Sequence, residues 1–230
     1  MLWQEDKPQQ EEKHKKTVVD LVFEMNCRCL PVDHAYALSQ AIFQALSWFE
    51  AEPQAGLHLI YGADSGNGWY RPEDQDELLY LSRRTKLTLR LPQHRLTDAK
   101  LLSGMTLDIA GYTLKVGKAK EKLLTKMPVL FARHIQADPN QDEDTFLEQI
   151  IAQIQQKGIQ CRKALCGRTH RLQFPTGELF TRSLMLADLT PQASITLQEQ
   201  GLGEQQKIGC GLFVPHKDIK PVNPDGDGKG

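Results

Sequence analysis

Two βαββαβ units in tandem, an α+β architecture, are what this 230-residue sequence predicts. Three observations predict it: a period-two apolar run is followed by a helical one, the pair recurs about 110 residues later, and each helix leads into further short strands. In the first unit, Val19, Leu21, Phe23 and Met25 alternate within Thr17–Arg28 as a half-buried strand does. Pro31 and Asp33 mark a helix start, with Asp33 as the expected N-cap, and Leu38, Ile42, Ala45, Leu46 and Phe49 give its apolar face. A strand from Leu57 to Tyr61, a Gly- and Asp-rich loop and a strand from Thr85 to Leu91 follow. A short helix over Leu96–Leu102, a strand over Met105–Ile109 and a lysine-rich hairpin over Thr113–Lys126 complete the unit.

The second unit repeats the order. Val129–Ile135 reads as a strand, and an acidic turn opens a helix from about Asp144 to Lys157, with Phe146, Leu147, Ile150, Ile151 and Ile154 on its apolar face and Gly158 as its stop. Strands are expected near Cys161–Leu165, His170–Phe174 and Leu179–Leu186, then a short segment, Ser194–Gln200, and a last strand, Gly211–Pro215. Repeated strand–helix–strand order predicts two ferredoxin-like domains, residues 17–126 and 127–219, flanked by tails at 1–16 and 220–230 with the composition of disordered chain.

Composition bounds the function. No run approaches the roughly 18 apolar residues of a membrane span, and the polar stretch Glu5–Lys16 is no signal peptide. Five cysteines without framework spacing suit a reducing cytoplasm. The net charge of −1 conceals an asymmetry, because Ser82–Ile135 holds twelve Lys/Arg against three Asp/Glu. One basic third in a near-neutral chain points to a polyanion bound on one face.

The most telling segment is the glycine-rich loop 201–211, in which Gly201-Leu202-Gly203 and Gly209-Cys210-Gly211 bracket Glu204–Ile208. Glycine at Gly201, Gly203, Gly209 and Gly211 predicts positive φ or close approach, and consecutive amides there would form an anion nest, with Lys207 adding charge. The spacing fits neither a Walker loop nor a dinucleotide fingerprint. Asp138-x-Asn140-x-Asp142-x-Asp144 begins like a calcium loop but has Glu143 where glycine is required and Gln149 at the bidentate position, so it reads as a helix-start turn. Cys161, Cys166 and His170 have no Cys-x-x-Cys pair and read as free thiols and a lone histidine. None of the seven histidines is followed two residues later by Ser or Thr, which argues against a two-histidine phosphoesterase.

The loop, Gly-x-Gly, five residues, Gly-x-Gly, resembles the mark of the repeat-associated RNA-binding superfamily of CRISPR systems. Leu30-Pro31-Val32-Asp33-His34-Ala35-Tyr36 resembles the opening of the first helix in one branch of the CRISPR repeat-RNA endoribonucleases, the sixth Cas family, and Ser194–Lys217 is similar to that branch's C-terminal signature. Ala35 stands where that branch would carry glycine. The resemblance implies an endoribonuclease for antiviral defence that cleaves CRISPR precursor RNA without metal or other cofactor. The 2′-OH attacks the adjacent phosphorus, leaving a 2′,3′-cyclic phosphate and a 5′-OH.

It further implies that the enzyme stays on the crRNA hairpin as a subunit of a Cascade-type effector complex. The alternative is a non-catalytic crRNA-binding subunit of such a complex, which has no need of a histidine at that helix start. His34 is the candidate base, because imidazole titrates near neutrality and a helix N-terminus disfavours its cation. Lys207 is the candidate stabiliser of transition-state charge, and Tyr36 could orient the nucleophile. Arg83, Arg84, Lys86 and Arg90, then Lys115, Lys118, Lys120, Lys122 and Lys126, could track hairpin phosphates, with Arg168, His170 and Arg171 on the stem.

Overall fold

The structure is a computed structural model and describes residues 17–62 and 77–216. The expected tails, Lys217 of the signature and most of the Gly- and Asp-rich loop lie outside the described residues. Among those described, no helix is long and apolar enough to cross a membrane.

The first unit runs β1 (Val18–Asn26), β2 (Cys29–Pro31), α1 (Ala35–Ala45), β3 (Gly56–His58), β4 (Leu78–Tyr80), β5 (Lys86–Pro92), α2 (Leu96–Ala99, between two short 3-10 turns), β6 (Thr106–Ile109) and β7 (Tyr112–Leu123). Its main sheet has the order β3-β5-β1-β7-β6, and its pairings are antiparallel. Without the edge strand β6, this is the ferredoxin-like order. Val19, Leu21 and Phe23 point to one face and pack with Leu38, Ile42, Leu87 and Leu89, which share one core. The opposite face carries Asp20, Val22 and Glu24, in register with Arg90, Thr88 and Lys86 on β5.

The second unit runs β8 (Leu130–Gln136), α3 (Glu143–Gln156), β9 (Lys163–Phe174), β10 (Gly177–Ala187), α4 (Pro191–Gln200) and β11 (Val214–Pro215), with sheet order β11-β8-β10-β9. Leu130, Ala132, Leu184 and Leu186 meet Phe146, Ile150 and Ile154 of α3 and Leu197 of α4 in a second core. The Asp138–Asp144 stretch is a helix-start turn: Asp142 accepts the Thr145 amide as N-cap, and Asp138 accepts the Asn140 amide. Thr190 caps α4, and Pro191 fills its first position, where no amide partner is needed.

Four expectations are corrected. Asp33 is not the N-cap of α1; His34 occupies that position without a capping side-chain bond, because the Asp33 carboxylate accepts the Gln173 amide of β9 at 2.6 Å. The lysine-rich segment is one strand, β7, paired on both sides by β1 and β6. The two strands expected at 161–165 and 170–174 are one, since Gly167 continues β9 through its polar middle. The short strands β2 and β4 were not expected; among the described residues they pair with each other, and at three residues each they are too short for a period to stand out in the sequence.

A buried polar contact centred on Arg90 joins the units. Arg90, 1% exposed, donates from Nε and Nη2 to Asp20 Oδ1 and Oδ2 at 2.8 and 3.2 Å, and from Nη1 to the carbonyls of Gln198 and Phe213 at 2.9 and 2.8 Å. Burial opposes ionisation of Asp20, but the Arg90 charge and His58, whose Nε2 lies 3.5 Å away, outweigh it and hold the carboxyl well below the usual range.

Asp20→Asn leaves a buried guanidinium without its counter-charge and should cost about 3–5 kcal/mol in urea unfolding at neutral pH. With its folded pKa depressed, Asp20 contributes stability in full above its unfolded pKa of about 3.9, and that contribution drains away as pH falls further. The variant should therefore lack part of the wild-type acid limb, and an identical limb would show that Asp20 is not the group titrating.

Candidate functional site

The head of α1 is set by backbone chemistry before any ligand is considered. Pro31 fixes φ in the approach, and the chain turns at Asp33–His34 into the helix. His34 is 3% exposed. Its Nδ1 lies 2.9 Å from the Pro31 carbonyl and 3.2 Å from that of Val32, while Nε2 lies 3.1 Å from the Ile60 amide. Carbonyls only accept and an amide only donates, so the ring carries its proton on Nδ1 and its lone pair on Nε2. The sequence placed His34 at the first turn of a helix; the fold turns its ring inward, against the segment leaving β3.

His34 lines a small cavity between the two units with Val32, Leu59, Ile60, Tyr61, Arg133 and Leu172. The Arg133 guanidinium stacks over the Tyr61 ring at 4.0 Å. Tyr61 lies nearly parallel to His134, with centroids 6.4 Å apart, and His134 meets His170 edge-on at 5.1 Å. His134 is 1% exposed, with Nδ1 2.9 Å from Thr181 Oγ1.

Lys207 and Tyr36 are not among the residues lining this cavity. The Lys207 ammonium donates to the Glu50 carbonyl. Tyr36 packs edge-on against Phe174, with centroids 5.8 Å apart, and borders a separate groove with Ser39, Gln40, Gln205 and Ile208.

The glycine loop has the backbone expected of it, with φ of +62°, +75°, +91° and +72° at Gly201, Gly203, Gly209 and Gly211. Most of its amides are used within the fold. Those of Gly201, Leu202, Ile208, Gly209, Cys210 and Gly211 donate to carbonyls of Leu197, Gly211, Gln205, Gln206, Gln205 and His134 respectively. A nest for an anion is therefore confined to the turn around Gly203–Lys207. The loop seats itself on the first unit: Cys210 is buried in the first core, and Gly209 lies against Leu59. Burial pushes the Cys210 thiol up to about 12, so it is inert packing.

The basic residues divide into sets. Lys118, Lys120 and Lys122 alternate along β7 beside Val22, Glu24 and Lys86, forming an exposed stripe on the sheet face opposite the α1 core. Arg83 and Arg84 are exposed in the turn before β5, Lys115 is exposed opposite Asn26, and Lys126 lies beyond β7. Arg90 leaves the set, because it is the buried joint. On β9, alternation puts Arg168 and His170 on one face and Arg171 on the other, where Arg171 stacks on Phe180 at 5.1 Å and pairs with Glu178 at 3.7 Å.

Sequence reasoning passed over Arg133, Tyr61, His134 and Asp20. The signals were an Arg-His pair inside the otherwise apolar Val129–Ile135 and an aspartate inside the apolar Val18–Phe23. A charged residue in a buried strand requires a partner.

A pair of ferredoxin-like units enclosing a histidine-lined cavity, with a glycine loop at the joint, defines the class as tandem ferredoxin-like proteins. Comparisons with known proteins are more specific. The Cas6 CRISPR family model matches residues 19–218. The CRISPR-associated endonuclease Cas6 of Myxococcus xanthus is 30% identical over 197 residues, 86% of this chain and 81% of that protein. Among solved structures, a CRISPR-associated Cas6 protein superposes with a TM-score of 0.60 at 13% identity, covering 87% of this chain and all of that one. A Thermus thermophilus Cse3 bound to an RNA representing a pre-cleavage complex gives 0.51 at 13% identity, covering 86% and 98%. These distant structures speak for the fold. The chain belongs to the Cas6 family of CRISPR endonucleases.

The loop geometry separates two glycines. A Cβ at Gly203 meets nothing within 4 Å, whereas one at Gly209 would fall inside the Leu59 side chain. Gly203→Ala should cost only the left-handed strain of about 1–2 kcal/mol; Gly209→Ala should add about 1–3 kcal/mol of overpacking. Thermal melts of the two variants check this, and equal shifts would mean that the loop does not wedge against Leu59.

Proposed function

We propose that this chain cleaves CRISPR precursor RNA within the repeat by attack of a 2′-OH on the adjacent phosphorus, without metal, in the cytoplasm. The observation that carries this reading is His34, with Nδ1 bonded to two carbonyls and the Nε2 lone pair aimed at a cavity-lining amide. In the reaction, Nε2 exchanges the Ile60 amide for the 2′-hydroxyl and takes its proton. The 2′-oxygen bonds to phosphorus, the P–O5′ bond breaks, and a 2′,3′-cyclic phosphate and a 5′-OH result once the leaving oxygen is protonated. General-base action of this kind is worth about 10²–10⁴-fold.

The exposed lysines of β7, with Lys86, Arg83 and Arg84, track the phosphates of the repeat hairpin, and Arg168, His170 and Arg171 serve the stem. Tyr36, Lys207 and the turn around Gly203 hold the strand at the neighbouring groove. The product hairpin stays bound, and the protein enters a Cascade-type effector complex with it. A subunit that only held RNA would not need a base at this cavity.

Because the His34 ring is also an acceptor for a buried amide, His34→Ala orphans Ile60 and should lower stability by about 1–3 kcal/mol as well as activity. His34→Gln is the cleaner test, since its carbonyl oxygen can still accept from Ile60 but cannot act as a base near neutral pH. It should fold, bind a labelled repeat hairpin within several-fold of wild type and cleave at least about 100-fold more slowly. Wild type should cleave in EDTA and should fail on a substrate with a single 2′-deoxy at the scissile nucleotide. Cleavage of that substrate, or full activity of the glutamine variant, sinks the scheme.

Replacing Lys118, Lys120 and Lys122 together with alanine should weaken hairpin binding and flatten its salt dependence. Each lost phosphate contact lowers the log–log slope by about 0.7–0.9. An unchanged slope would turn the β7 stripe away from RNA.

A further inference from the structure

Cleavage by a 2′-oxygen places two negative charges on the phosphorane, and these need a cation beside the base. Lys207 meets the composition requirement but not the geometry, because its ammonium rests on the Glu50 carbonyl and it is not among the residues lining the His34 cavity. Among the described lining residues, Arg133 is the one lysine or arginine.

Three features prepare it. The guanidinium lies 4.0 Å over Tyr61 and 5.9 Å from the Phe131 ring. Stacking on an aromatic face fixes the guanidinium plane, whose edge is where two parallel N–H groups can meet two phosphate oxygens. The strand is held as well, since the carbonyl of the next residue, His134, accepts the Gly211 amide at 2.7 Å. The glycine loop thereby fixes β8 with respect to the first unit, against which Gly209 and Cys210 pack. Tyr61 in turn follows Ile60, whose amide contacts His34. Base and guanidinium thus face one cavity from opposite units.

We infer that Arg133 is a catalytic residue of the second unit, contacting the non-bridging oxygens of the scissile phosphodiester and stabilising the charge that develops there. The inference rests on His34 acting as the base at this cavity. No bond to Arg133 forms or breaks; it contributes charge and two hydrogen bonds, which strengthen as the phosphorane forms.

The test is single-turnover cleavage of a labelled repeat hairpin, with hairpin affinity and thermal melts measured alongside. Arg133→Ala should cleave about 10²–10³-fold more slowly with affinity within several-fold of wild type. Arg133→Lys keeps the charge but loses the fork, and should fall between them. Millimolar guanidinium should restore part of the alanine variant's rate and leave wild type unchanged, which a structural role would not produce. Arg133→Gln, which keeps most of the side chain's length, serves if the alanine variant melts early.

A wild-type rate in Arg133→Ala or Arg133→Gln overturns the inference. So does a parallel loss of rate and affinity without guanidinium rescue, because Arg133 would then be a binding contact. His34→Gln, run beside them, tells the two readings apart. If it is fully active while Arg133→Ala is slow and rescued, the base assignment falls and the guanidinium stands. If it is inactive while Arg133→Ala is wild type, the reverse holds.

Discussion

One guanidinium sets the arrangement of this molecule. Arg90 is buried on β5, and its three nitrogens are spent on Asp20 of β1 and on the carbonyls of Gln198 and Phe213. Those two carbonyls flank the glycine loop, one in the last turn of α4 and the other just before β11. A single nitrogen of the first unit therefore grips both stems of the loop. Removing two charges from water is costly, and the arrangement holds because the carboxylate and backbone dipoles surround the cation. Gln198 lies near the negative end of a helix, which adds to the attraction.

With its stems clamped, the loop acts as a wedge between the units. Cys210 enters the first core, Leu212 approaches Gly56, and Gly209 sits against Leu59 where no side chain fits. On its other side the Gly211 amide holds the His134 carbonyl of β8. Leu59 precedes Ile60, which contacts His34, and His134 follows Arg133. The loop thus touches both walls of the histidine cavity without lining it. A glycine pattern that reads as a phosphate cradle is, over much of its length, a device for setting the distance between two sheets.

Local signals carried most of the fold. Alternation in Val19–Met25, the helical period of Leu38–Ile42, the acidic start of α3 and the positive φ of the four loop glycines depend on near neighbours in the chain, and these survive in the structure. Where the reading missed, a distant partner had intervened. Asp33 would cap α1 on local grounds, but the Gln173 amide, 140 residues away, takes its carboxylate. Arg90 looks like one more basic residue in a charged segment until Asp20 and the loop carbonyls close around it.

The sequence alone therefore determined the two ferredoxin-like units, the shape of the glycine loop, the basic character of one face and membership of an RNA-cleaving family. All four are written in residue type and spacing over short windows. Tertiary structure decided which groups share a cavity. It turned His34 inward with its tautomer set, carried Lys207 to Glu50, and brought Arg133 over Tyr61 from the other unit. The physical reason is that a hydrogen bond or a stacked cation needs a partner within a few ångströms. Strand pairing and the joint between the sheets settle which residues come that close, and neither can be read from a spacing along the chain.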